Sequence, residues 1–177
     1  MPKERILIVE DESIVALDIA NSLESLGYIV AGQTDRGETA IQIVEELQPD
    51  LVLMDIRLKG QMNGIQAAEH IYIHFDIPIV FLSAHSDTLT LQSAMLAQAY
   101  GFIRKPFEAR ELKSTIAMAL YKHTMTRKLR ESEERYRLLH DSALDGIMLT
   151  APDGRIFSAN AAACHMLGRT EAEIIQV

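Results

Sequence analysis

The sequence predicts an α/β fold built around a five-stranded parallel sheet, and two features of residues 5–106 indicate it. Five short apolar runs recur there: RILIVE, YIVAGQ, DLVLMD, IPIVFLSA and YGFIRK. Nearly continuous hydrophobicity is typical of strands buried on both faces. Amphipathic stretches of helical length separate the runs, and strands that alternate with helices form a parallel sheet covered on both sides.

Four helices are predicted between or after these strands. The first ends at Gly27 and the second before Pro49, since glycine and proline terminate helices. In the first helix, the apolar stripe consists of Ile14, Leu17, Ile19, Leu23 and Leu26. The third and fourth helices are predicted over 65–75 and 89–97 from the same helical periodicity.

A fifth, unusually long helix is predicted from Glu108 onward. No Gly or Pro interrupts residues 108–145, so this helix is expected to act as a connector. Apolar spacing is poor between Lys122 and Glu134, where the segment is strongly charged. A dimeric coiled coil and a solvated single helix both remain open there.

Beyond residue 145 the sequence predicts a hairpin followed by short helices. The stretch GIMLT-APDG-RIFSAN places Asp153 and Gly154 at the bend. The next stretch, AAACHML, reads as a helix that Gly168 ends. Thr170 and Glu173 then form a capping-box pattern for another helix, and the sequence stops partway through that element.

Composition and charge exclude several classes of function. The net charge of -8 argues against a general nucleic-acid binder, because phosphate backbones select basic surfaces. The most apolar stretch, residues 77–84, is far shorter than the roughly 20 residues that span a bilayer. The single cysteine, Cys164, excludes an internal disulfide and reads as a small buried hydrophobe. We therefore expect a soluble, cytoplasmic chain without nucleic-acid or membrane partners.

Polar residues collect where the predicted strands end. In an open parallel sheet, ligands bind beyond the carboxyl ends of the strands. The residues at these ends are Glu10, Asp11 and Glu12 after the first strand, Asp55 after the third, Ser83 after the fourth and Lys105 after the fifth. A single aspartate at a strand end is often only a helix cap. The convergence of all of them on one edge favours a functional site.

The residue types at this edge suit phosphoryl transfer assisted by magnesium. Crowded carboxylates repel one another unless a cation neutralises them, and Mg²⁺ prefers carboxylate, water and phosphate oxygens. Asp55 is then a candidate nucleophile, because a metal lets an anionic phosphoryl donor approach. Lys105 supplies a positive charge for the phosphoryl group, and Ser83 supplies a hydrogen-bond donor.

Residues 3–122 resemble a response-regulator receiver domain of two-component signalling. The matching motifs are ILIVED, LVLMD, FLSA and GFIRKPF, in this order. The resemblance implies a flavodoxin-like, doubly wound sheet with strand order 2-1-3-4-5, and a Mg²⁺ cofactor. It implies the following roles: Asp55 as phosphoacceptor and metal ligand, Asp11 as metal ligand, Glu10 as a ligand through water, Ser83, Ala84 and Lys105 as contacts of the phosphoryl group, and Phe102 as a rotamer switch. The Lys105-Pro106 peptide is expected to be cis by the same resemblance.

The loop after Asp55 departs from the receiver pattern. It reads IRLKGQMNG, one residue longer than usual, with Lys59-Gly60 where many receivers have proline. The resemblance assigns the backbone carbonyl of Arg57 to the metal. The side chains of Arg57 and His85 would overhang the site, so we expect these two residues to set the rate of dephosphorylation.

Residues from about 132 resemble the start of a PAS sensor domain. The helix entering DGI, the Asp-Gly turn and the run AN-x-A-x-x-x-L-G carry the likeness, which covers under half of such a domain. An incomplete sheet leaves an edge unpaired, so this α+β segment is expected to be marginal or self-pairing. His140-Asp141 superficially resembles a kinase phosphoacceptor, but its surroundings do not match. We expect a receiver at 1–122, a helical linker at 123–135 and a partial PAS domain at 136–177.

The resulting functional prediction is a regulatory receiver, not an enzyme. A sensor histidine kinase or phosphotransfer protein would phosphorylate Asp55 and switch an output through the fifth helix and the PAS-like module. A homodimer could form through the face of the fourth helix, fifth strand and fifth helix, or through the linker. Three alternatives remain open: a phosphorylation-independent interaction module, an aspartyl-phosphate phosphatase, and a fragment of a PAS-containing hybrid kinase or other effector.

Overall fold

A five-stranded parallel sheet forms the centre of the first part of the chain. The computed structural model describes residues 3–84 and 99–175. Its strands are β1 (Arg5–Val9), β2 (Ile29–Thr34), β3 (Leu51–Asp55), β4 (Ile79–Ser83) and β5 (Gly101–Arg104), and its helices are α1 (Ser13–Ser25), α2 (Gly37–Leu47), α3 (Gly64–Phe75) and α4 (Ala109–Ser142). The strand order is β2-β1-β3-β4-β5, which confirms the predicted topology. The helix predicted at 89–97 lies outside the described residues.

The sheet separates two apolar cores. Every residue of β3 and β4 is buried, as their continuous hydrophobicity predicted. Because side chains alternate along a strand, β1 sends Leu7 and Val9 into one core and Ile6 and Ile8 into the other. The first core packs against α2 and α3, and the second against α1 and the start of α4.

The apolar stripe predicted for α1 is only partly buried. Its core contacts come from Ala16, Ile19 and Leu23. Ile14 and Leu17 are 85% and 60% exposed. These two residues fall on the helix flank that turns away from the sheet, because a helix of 3.6 residues per turn presents only part of a broad stripe to one surface.

Helix α3 begins directly against the end of β3. Asn63 caps it, accepting a hydrogen bond from the Gln66 amide at 2.9 Å while the Gln66 side chain accepts one from the Asn63 amide at 3.1 Å. Gly64 follows, and a Cβ atom there would lie only 1.8 Å from the backbone oxygen of Asp55. Only glycine therefore lets the helix start this close to Asp55.

The chain divides into two compact units, Met1–Thr124 and Met125–Val177, and α4 contributes residues to both. We call α4 the connector helix; it corresponds to the predicted fifth helix. The second unit contains an antiparallel hairpin of β6 (Met148–Thr150) and β7 (Ile156–Ala159), then α5 (Ala161–Leu167) and α6 (Glu171–Ile175).

Asn160 organises the second unit from its interior. This buried side chain accepts hydrogen bonds from the backbone amides of Ile147 and Ala163, and donates to the carbonyls of His140 and Asp145, all at 2.9 Å. The hairpin, the start of α5 and the end of the connector helix are thereby joined by one amide group. Such a fully satisfied buried amide fixes local geometry.

Candidate functional site

Three carboxylates meet at the carboxyl edge of the sheet. Glu10 and Asp11 follow β1, and Asp55 ends the neighbouring strand β3. One carboxylate oxygen from each lies within 4.8 Å of the other two. Glu10 and Asp55 are buried, so their negative charges are poorly screened by water. The structure thus brings together three of the acidic residues that the sequence placed at one edge, whereas Glu12 is exposed and is not part of this cluster.

Lys105 reaches into this acidic cluster from the segment after β5. Its ammonium nitrogen lies 2.6 Å from Glu10 Oε2 and donates a hydrogen bond to Asp55 Oδ2. The Lys105 side chain is only 16% exposed. The Lys105-Pro106 peptide is cis, as expected. Lys105 therefore lies where a phosphoryl group attached to Asp55 would find a positive charge.

The charges in this cluster do not balance. Burial, partly offset by the hydrogen bond from Lys105, raises the pKa of Glu10 from 4.5 to about 7. Burial lowers the pKa of Lys105, but its hydrogen bonds to Asp55 and Glu10 outweigh burial and raise that pKa overall. Lys105 pairs with Glu10 and Asp55, and burial, reinforced by the negative charge of Asp55, favours a proton on Glu10.

The residues at this edge fit a magnesium ion. Mg²⁺ binds carboxylate oxygens and keeps several waters, and three such oxygens converge here. Burial and, to a smaller extent, the charge of Asp55 disfavour the ionised form of Glu10, and a divalent cation bound here would stabilise that form.

The other predicted site residues that the structure describes lie in the loop after β3, at the end of β4 and in β5. The Arg57 amide donates a 3.0 Å hydrogen bond to Asp55 Oδ1. Ser83 is buried at the end of β4, and Phe102 in β5 stacks on Phe81 with ring centroids 5.8 Å apart. Ala84 follows β4 and is exposed. His85 lies outside the described residues.

Two charged residues that sequence reasoning did not assign contact the loops beside the site. The Lys59 ammonium donates a 2.9 Å hydrogen bond to the backbone oxygen of Asp11. The Glu38 carboxylate accepts hydrogen bonds from the amides of Gln61 and Met62, both at 3.0 Å. The unusual Lys59-Gly60 pair was the only signal for the first contact, and no sequence pattern pointed to Glu38.

The fold and this site define a receiver, and comparisons with known proteins agree. The chain belongs to the response-regulator receiver family, because the family model "Response regulator receiver domain" matches residues 6–117. A PAS domain model matches residues 134–177. Both resemblances seen in the sequence are thereby confirmed. The chain is accordingly a member of a regulatory family associated with two-component phosphorelay signalling.

Three relatives illustrate the match. The chain is 35% identical over 116 residues to transcriptional regulatory protein PdtaR of Mycobacterium tuberculosis, covering 66% of this chain and 56% of that protein. It is 35% identical to the signal receiver domain of a modulated diguanylate cyclase from Desulfovibrio desulfuricans, covering 70% of this chain and 98% of that one, with a TM-score of 0.67. It is 36% identical to the N-terminal domain of a response regulator/sensory box/GGDEF 3-domain protein from Carboxydothermus hydrogenoformans, with coverages of 70% and 98% and a TM-score of 0.64.

The chain spans about half the length of the curated relatives it matches, with 56% covered in each of the first two. Within residues 3–84 and 99–175, none of the helices is both long enough and apolar enough to cross a membrane.

Proposed function

We propose that this chain accepts a phosphoryl group on Asp55, with Mg²⁺ bound by Glu10, Asp11 and Asp55, and thereby switches a signalling output. The observation that carries the proposal is the ion-paired cluster itself: a buried aspartate at the end of a central strand, two neighbouring carboxylates and one buried ammonium. An aspartate with only a structural role would require neither two neighbouring carboxylates nor a buried lysine.

The transfer step uses the carboxylate of Asp55 as nucleophile. An Asp55 oxygen forms a bond to phosphorus while the bond between phosphorus and the donor's imidazole nitrogen breaks, and the imidazole leaves with the electron pair. Bound Mg²⁺ would offset the charge that repels the donor from the carboxylates. The Arg57 amide holds one Asp55 oxygen in place. The Lys105 ammonium would donate hydrogen bonds to the oxygens of the new phosphoryl group. The carbonyl of Arg57 is proposed as a further metal ligand.

Ser83 and Phe102 are proposed to convert phosphorylation into a change of surface. Ser83 ends β4 beside β3, where Asp55 lies, and pairs with Arg104 of β5. Phe102 is in the same strand β5 and only partly buried. A new hydrogen bond between the phosphoryl group and the Ser83 hydroxyl would alter the packing against Phe102, so the two states would differ in population. The connector helix and the PAS-like segment are the proposed output.

An exposed apolar groove beside the site is the proposed contact for the phosphodonor protein. Ile14 is 85% exposed on α1, and Pro106 and Phe107 form the opposite wall next to Lys105. The groove has a volume of about 530 Å³. A histidine kinase or phosphotransfer protein could place apolar helix residues here while its phosphohistidine meets Asp55. The chain's net charge of -8 favours such a protein partner over nucleic acid.

The connector helix is the proposed dimer contact in the second unit. Met125, Leu129, Tyr136 and Leu139 are exposed apolar residues at steps of four, seven and three. These steps match the core positions of a coiled coil. A serine occupies the one core position that falls between Leu129 and Tyr136.

Charge also supports a second copy of the same helix as the partner. Lys128 and Glu133 are five residues apart, as in the interhelical pairs of parallel coiled coils. We expect a dimer by light scattering that Leu129→Glu dissociates. Leu144→Glu, which changes an even more exposed leucine outside the helix, should leave the dimer intact. A monomeric parent chain would instead support a solvated single helix.

Phosphorylation by a small donor tests the central proposal. We expect acetyl phosphate to add one phosphoryl group to the chain only when Mg²⁺ is present. An aspartyl-phosphate phosphatase would instead turn over p-nitrophenyl phosphate continuously. A chain that stays unmodified at saturating donor and metal would support a phosphorylation-independent interaction module.

A further inference from the structure

Lys59 joins three loops at the edge of the acidic cluster. Its ammonium nitrogen donates a hydrogen bond to the backbone oxygen of Asp11 at 2.9 Å and lies 3.6 Å from Asp35 Oδ2. Lys59 belongs to the loop after β3, Asp11 to the loop after β1, and Asp35 to the loop after β2. The side chain therefore links the loop that carries a proposed metal ligand to its two neighbours.

The loop that carries Lys59 is itself held by several contacts. The Lys59 amide donates to the backbone oxygen of Asp35 at 3.2 Å. Glu38 Oε1 accepts from the amides of Gln61 and Met62. Gly60 has a φ of +110°, and a Cβ atom there would lie 2.9 Å from Glu38 Oε2. The one-residue-longer loop is thus docked on the start of α2, which directs the Lys59 side chain toward Asp11.

We propose that Lys59 is a positioning residue for the metal site, acting through the backbone of Asp11. By holding the Asp11 carbonyl, it fixes the adjoining carboxylate near Glu10 and Asp55 before a cation arrives. Without this contact the loop would have to become ordered when Mg²⁺ binds, and that ordering costs binding free energy. The inference rests on the proposed function, because it concerns the same metal site.

A competing effect of Lys59 has the opposite sign. A positive charge near a cation site repels the cation, so removing Lys59 would strengthen Mg²⁺ binding if charge alone mattered. The Lys59 side chain is 55% exposed and also faces Asp35, so water and a counter-charge weaken that repulsion. The direction in which Mg²⁺ affinity changes therefore separates positioning from repulsion.

Calorimetric titration of the unphosphorylated full chain with Mg²⁺ tests the proposal. We expect Lys59→Met to weaken Mg²⁺ binding by about threefold to tenfold, the loss of one partly exposed charged hydrogen bond. Lys59→Arg keeps a charged donor and should restore most of the affinity. Lys113→Met is the matched control, because it removes the same charge from an exposed lysine of the connector helix.

The possible outcomes are distinct. Lys59→Met binding Mg²⁺ as tightly as the parent, or more tightly, would overturn the positioning role and leave the proposed function intact. A parent chain that does not bind Mg²⁺ would contradict the proposed function itself. Unfolding midpoints in urea check that the variant is folded. If Lys59→Met is not folded, Lys59→Gln, which keeps an uncharged donor, must bind Mg²⁺ more weakly than both the parent and Lys59→Arg, or the proposal fails.

Discussion

Glu10 makes the stability of the folded chain depend on pH, and the substitution Glu10→Gln isolates this effect. Burial raises the pKa of Glu10 from 4.5 to about 7 in the folded chain. At about 1.4 kcal/mol for each pH unit, this rise corresponds to about 3 kcal/mol. Glutamine resembles the protonated acid in shape and charge, so the variant should lack the pH dependence that comes from this group.

The sign follows from proton binding. Between pH 4.5 and about 7 the folded chain holds the Glu10 proton more tightly than the unfolded chain does. The contribution of Glu10 to the free energy of unfolding is therefore fully present below pH 4.5 and is lost as pH rises through about 7. Without metal, Glu10→Gln should match the parent at low pH and exceed its stability by about 3 kcal/mol above pH 8.

Thermal and urea unfolding of both proteins across this pH range, with a chelator present, measures the difference. Comparing the two proteins cancels the titration of all other groups. Adding Mg²⁺ at high pH should stabilise the parent more than the variant, because the cation replaces the lost proton. Parallel stability curves at every pH would refute the raised pKa of Glu10 in the folded chain.

Three further substitutions test other parts of the structure. Gly64→Ala should destabilise the chain by about 3 kcal/mol or more, since its Cβ would overlap a backbone oxygen of β3; Gly27→Ala, with positive φ but open space, should cost about 1 kcal/mol by the same urea measurement. Equal losses would contradict the clash. Asn63→Ala should cost about 1 kcal/mol through loss of the cap of α3. Replacing Arg57 and His85 together by alanine should change the rate of phosphate loss from the phosphorylated chain, and an unchanged rate would remove them as determinants of that rate.

The sheet was predictable because its sequence signal is local and unambiguous. Strands buried on both faces must be apolar at nearly every position, and β3 and β4 are. The acidic edge followed from topology, since Asp11 comes just after β1 and Asp55 ends β3, and these neighbouring strands run in the same direction. Neither inference required any knowledge of loop conformation.

Contacts that depend on loop paths or on helix rotation were not predictable. Ile14 belongs to the apolar pattern of α1 but is exposed, because periodicity does not fix how a helix rotates against a sheet. The contact between Lys59 and Asp11 joins residues 48 positions apart through two loops. The four hydrogen bonds of Asn160 likewise depend on how the hairpin meets the connector helix, which the motif alone does not specify.

Intact mass of the parent chain and of Asp55→Asn, each incubated with acetyl phosphate, is the most direct test of phosphoryl transfer to this site. We expect a single phosphoryl adduct on the parent that requires Mg²⁺, and none on Asp55→Asn under the same conditions. An adduct of equal yield on both proteins would place the modification elsewhere and contradict Asp55 as the nucleophile.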